Sequence, residues 1–167
     1  MISKIDGESN LPKTIPMIIV ANHESKFDHL LILYPVIKML NRKIYFLAIP
    51  RWWYSIKFIR KGLSEIILVT NPKKAFNDAI NVIRSGGIVA IFPEGRLERR
   101  RRKKNPKTGA VRLAIETKVP VLPIGIKFSF PFASAINIGK PIYFRNKRNI
   151  KKASKDLMRY VYHLRGN

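Results

Sequence analysis

Two short runs constrain the fold most: "MIIVA" (Met17–Ala21) and "IVAIF" (88–92) contain no polar residue at all. A strand with one wet face alternates apolar and polar side chains, whereas one covered on both faces reads as a continuous apolar run. "KIYFLA" (43–48), "EIILV" (65–69) and "VLPIGI" (121–126) are further strand candidates. Between them, residues 28–40, 72–84 and 108–117 carry apolar side chains at helical spacing. Pro72 suits a first helical turn, and "SGG" (85–87) is a stop signal. Such alternation predicts an α/β fold, a largely parallel or mixed sheet flanked by helices, formed by residues 1–167 as a single domain. Its motif-bearing core is expected over 17–127. C-terminal strands and a basic amphipathic helix are expected over about 135–164, the helix itself covering 150–164.

In open sheets of this kind, ligand sites collect where parallel strands end. Two of the predicted strands run out into unusual polar sequence: "NHESKFD" follows the first, and "PEGR" follows "IVAI" and Phe92. His23 and Asp28 in the first of these cannot share a face of one continuous helix, because five residues rotate them apart. They meet if His23 lies in the turn before the helix and Asp28 in its first turn. Ser25-Lys26-Phe27-Asp28 matches a capping box, which supplies that break, with Ser25 as the cap. Two functions are open to the pair. Asp28 can simply cap the helix, or it can accept a hydrogen bond from one ring nitrogen and free the other to take a proton from a hydroxyl. An acyl-Ser25 mechanism is a further option, although a capping Ser turns its oxygen toward the backbone.

Four blocks in order resemble the PlsC-like glycerolipid O-acyltransferase family, which includes lysophosphatidic acid (1-acyl-sn-glycerol-3-phosphate) acyltransferase. "NHESKFD" resembles the family's N-H-x-x-x-x-D signature, and "FPEGR" (92–96) its F-P-E-G-[TS]-R block. "KTGAVRLA" (107–114) is similar to its Lys-x-Gly-x-x-x-x-Ala stretch, and "VPVLPIGI" (119–126) to its V-P-[VI]-x-P block. The resemblance implies a glycerol-phosphate acyltransferase-like fold and a catalytic pair, His23 and Asp28. It further implies that Asn22, Glu94, Gly95, Arg96, Arg99 and Lys107 form the substrate side. The reaction implied moves a fatty acyl group from acyl-CoA or acyl carrier protein to the hydroxyl of a lysophospholipid. The favoured conversion is of 1-acyl-glycerol 3-phosphate to phosphatidic acid, a step in phospholipid biosynthesis. The thioester serves as co-substrate; no cofactor and no metal are expected. Two departures stand out. Arg96 follows Gly95 directly, where the family inserts Thr or Ser, and Thr70-Asn71 stand after "EIILV" where the family carries an Arg.

The charge balance, 33 Lys+Arg against 10 Asp+Glu for a net +23, favours polyanionic partners. The absence of cysteine excludes disulfides and a Cys nucleophile. "MISKIDGESN" lacks the apolar core of a secretory signal, and no stretch reaches the roughly 18 apolar residues of a spanning helix. The short segment before His23 predicts no N-terminal membrane hairpin. Peripheral attachment to the cytoplasmic face of an anionic membrane is therefore expected. Trp52 and Trp53 in "PRWWYSIKFIRKGL" would meet the headgroup boundary, with Arg100, Arg101, Arg102, Lys103 and Lys104 against the lipid charge. A basic nucleic-acid-binding module is an alternative that accounts for the charge but not for His23 with Asp28 or for "FPEG". A lipid-binding family member without activity is another.

Overall fold

The computed structural model describes residues 2–13, 16–23, 28–48, 64–95, 105–129, 133–146 and 148–166. Strands β1 (Ile2–Asp6), β2 (Met17–Ala21), β3 (Ile44–Ala48), β4 (Ser64–Leu68), β5 (Ile88–Ile91), β6 (Val121–Ser129) and β7 (Ala133–Ile138) form one sheet. Its order is β1-β7-β6-β2-β5-β3-β4. Only β6 and β7 run antiparallel to one another; every other neighbouring pair is parallel. Among the described residues the α-helices are α1 (Asp28–Leu40), α2 (Pro72–Arg84), α3 (Gly109–Thr117) and α4 (Ile150–Arg165). This is the expected mixed sheet with flanking helices.

The continuous apolar runs have the cause inferred from them. All of β2 is at 0% exposure, and its side chains divide between two cores. Met17, Ile19 and Ala21 pack with Ile32 and Val36 of α1, while Ile18 and Val20 pack with residues of α2, α3 and α4. Helices therefore cover both faces, and no position in the strand needs to be polar.

Local signals explain several boundaries. The Asn71 side chain caps α2 by accepting from Lys73 N at 2.9 Å and Lys74 N at 3.1 Å, with Pro72 in the first turn. Gly86, at φ 85°, ends the same helix.

The edge strand β1 has no counterpart among the expected strands. "ISKID" has only two apolar residues and neither period, and its pairing comes from far away, in parallel register with β7. Just beyond it, Gly7 has φ 77°, and a Cβ there would stand 2.1 Å from the Ile138 carbonyl oxygen. Asn10 donates to that same oxygen at 2.8 Å.

Helix α4 docks its last turn on β6 and the end of β7. A Cβ on Gly125 of β6 would lie 2.2 Å from the Arg165 backbone nitrogen, and one on Gly139 would lie 2.7 Å from Leu164 Cδ1. Asn137 donates its side-chain amide to the Leu164 carbonyl at 2.5 Å. Buried Leu157, Met158 and Val161 complete the seat.

Candidate active site

Strands β2 and β5 lie side by side in parallel register, Val20 opposite Ile91, so the segments leaving them emerge together at one edge of the sheet. Asn22, the first residue past β2, is fully buried. Its amide donates to the Ile126 carbonyl at 2.8 Å and accepts from the Ile126 N–H at 2.7 Å. A primary amide carries the same donor and acceptor as a peptide group, so Asn22 extends the ladder toward β6 by a side chain where the strand has stopped. That frees the main chain to turn away.

His23 follows, held at several points. Its backbone N–H donates to Glu94 Oε2 at 2.9 Å. Its Nδ1 lies 2.8 Å from Asp28 Oδ2 in the first turn of α1. One ring face stacks on Phe92, centroids 4.4 Å apart and planes 23° off parallel. Phe92 in turn stacks over Phe46 at 6.4 Å. His23 lies before the helix and Asp28 in its first turn, and the two side chains meet, as their spacing requires. Ser25 lies outside the described residues.

A carboxylate accepts only, so the Asp28 contact places a proton on Nδ1 of the neutral ring and leaves Nε2 as the acceptor. The Asp28 side chain has 0% exposure, whereas that of His23 keeps 16%. The pair is therefore approached from the imidazole end. Burying a carboxylate is costly without a donor, and the ring supplies one.

The second segment is a tight turn. Gly95 N–H donates to the Phe92 carbonyl at 3.0 Å, with Pro93 at the position where its fixed φ suits a turn. Gly95 has φ 73°, and a Cβ there would meet Lys107 Cε at 2.7 Å and Nζ at 2.9 Å. Lys107 also donates its backbone N–H to the Pro93 carbonyl at 2.9 Å. Glycine thus gives the Lys107 side chain room to lie across the turn, beside the segment that holds His23. Glu94 faces the protein with both oxygens: Oε2 toward His23, and Oε1 toward the Tyr162 hydroxyl of α4, which donates at 2.7 Å.

Among the expected site residues, the fold gathers His23, Asp28, Asn22, Glu94, Gly95 and Lys107 at one edge. Arg96, Arg99, Trp52, Trp53, Arg100, Arg101, Arg102, Lys103 and Lys104 lie outside the described residues. Phe92 and Tyr162 join the site without having been singled out in the sequence. Phe92 stood inside the quoted "FPEGR"; nothing in the sequence links Tyr162 to a residue 68 positions away.

A sequence model of the acyltransferase family matches residues 3–127. The chain is 29% identical over 126 residues to a 1-acyl-sn-glycerol-3-phosphate acyltransferase of Borreliella burgdorferi, covering 72% of this chain and 49% of that protein. It thus spans about half the length of this curated relative. The fold matches the crystal structure of the 1-acyl-sn-glycerophosphate acyltransferase PlsC from Thermotoga maritima, with a TM-score of 0.65 and 22% identity over 98% of this chain and 72% of that one. With a family model matched over residues 3–127, the chain belongs to the acyltransferase family.

Proposed function

We propose that this chain transfers a fatty acyl group from a thioester, acyl-CoA or acyl carrier protein, to the free hydroxyl of a lysophospholipid, with 1-acyl-glycerol 3-phosphate as the favoured acceptor. The observation that carries this reading is the 2.8 Å contact of His23 with a fully buried Asp28 at the edge where β2 and β5 end. With Nδ1 committed to Asp28, Nε2 takes the proton of the acceptor hydroxyl as its oxygen attacks the thioester carbonyl. The C–S bond then breaks, and the imidazolium returns the proton to the departing thiolate. General-base assistance of this kind contributes about 10²–10⁴-fold, and placing the two substrates supplies more.

Lys107, lying over Gly95, supplies a cation for the acceptor phosphate, with Arg96 and Arg99 as its partners in that task. Asn22 and Glu94 shape the floor, since their polar atoms engage Ile126 and His23. The acceptor lives in a bilayer, and a charge of +23 suits docking on an anionic leaflet. No helix among the described residues is long and apolar enough to cross a membrane.

The test supplies labelled acyl-CoA and acyl carrier protein with a panel of lysophospholipids. Transfer to 1-acyl-glycerol 3-phosphate is expected, and His23→Ala should abolish it while circular dichroism stays unchanged. A wild-type protein that acylates no acceptor yet binds RNA tightly at physiological salt would overturn the reading.

A further inference from the structure

We infer that Tyr162 is a positioning residue of the acyl-transfer site, acting through Glu94 on His23; the inference rests on His23 being the base. The last torsion of a glutamate is broad, so a carboxylate fixed by one hydrogen bond can still turn about it. Glu94 is fixed at both oxygens. Oε2 receives the His23 backbone N–H at 2.9 Å, and Oε1 receives the Tyr162 hydroxyl at 2.7 Å. The hydroxyl is thus one of the contacts that hold the carboxylate plane meeting His23.

That nitrogen is bonded to the Cα bearing the imidazole. Glu94 thus anchors the residue at its main chain while Asp28 anchors the ring at Nδ1. The Phe92 ring against the imidazole belongs to the same turn as Glu94, so a shift of that turn moves two of the surfaces that fix His23. Tyr162 can serve as a fixed point because the helix carrying it is fixed. Val161 beside it is fully buried, and the following residues are seated on Gly125 and Gly139 without space for a methyl group. The family match ends at residue 127, so this brace comes from a part of the chain beyond it.

The experiment compares wild type, Tyr162→Phe, Glu94→Gln and the double variant in steady-state acyl transfer, with a ¹H–¹⁵N spectrum of each. In Tyr162→Phe, kcat should fall about tenfold, with KM for donor and acceptor within about twofold, as a displaced base requires. The double variant should be no slower than Glu94→Gln alone, because the two residues act as one unit. The His23 amide resonance should move in Tyr162→Phe and in Glu94→Gln while resonances of the β3–β4 pair stay in place. Wild-type kcat in Tyr162→Phe, full additivity with Glu94→Gln, or an unmoved His23 amide each overturns the inference. If the wild type transfers no acyl group, the proposed reaction fails on its own, and the His23 amide still reports whether Tyr162 governs that residue.

Discussion

Asn22 shows how a single side chain can decide where a strand stops. Its amide satisfies both the N–H and the C=O of Ile126 in a fully buried position. Replacing it by Ala leaves a buried donor and a buried acceptor without that partner. Each unsatisfied group costs on the order of 1–3 kcal/mol, so Asn22→Ala should lower stability by about 2–6 kcal/mol. Urea denaturation should show this as a lower midpoint with an unchanged slope. His23 was legible in the sequence because its chemistry is local: a polar exit from an apolar run, and a carboxylate five residues on. The partner of Asn22 was not, since it lies 104 residues away, nor was the Tyr162 contact with Glu94. Pairs that form only when distant elements meet leave no periodic trace.

At the scale of elements, helices were read closely, because caps and stops are encoded next to the residues that they serve. Helix α2 begins at Pro72 and ends at Arg84 as its spacing predicts, with Asn71 before it and Gly86 after. Strand β1 leaves no signal in the sequence because an edge strand with few apolar residues owes its conformation to its neighbour. Helix α4 was expected as a basic amphipathic segment, but amphipathicity does not say where a helix lands. Two glycines do. Gly125→Ala would drive a methyl group into the Arg165 backbone, so the last turn of α4 must lift. Overpacking of this kind costs about 1–3 kcal/mol, read as a thermal midpoint lower by several degrees. Because Tyr162 precedes that turn, kcat should fall with it.

For the molecule as a whole, the sequence settles the charge and the structure places part of it. Lys73 and Lys74 on α2 and Lys151, Lys152 and Lys155 on α4 are exposed, so the helical layer contributes to the field. Arg159 is exposed as well, although Asp156 pairs with it at 3.0 Å. The run Arg99–Lys104 adds a denser cluster in sequence. Each cation near an anionic leaflet contributes about 1 kcal/mol. Neutralising that run should therefore weaken binding to phosphatidylserine-containing vesicles by about 10²-fold or more in a flotation assay. Turnover on detergent-dispersed acceptor should fall only by what the loss of Arg99 from phosphate binding accounts for. Restoring Arg99 in the neutralised background separates the two effects. Raised salt should mimic neutralisation for vesicle binding.

The parallel ladder between β1 and β7 also has a bearing on biogenesis. Ile2–Asp6 and its partner Ala133–Ile138 lie far apart in sequence, so the one is translated well before the other. Throughout that interval the strand's backbone groups lack their lattice, and the neighbouring segments of a half-made sheet present bare margins to solvent. Pairing across so long a stretch of chain makes assembly slow relative to chains stitched from adjacent hairpins, and it leaves an unpaired edge open to aggregation in the meantime.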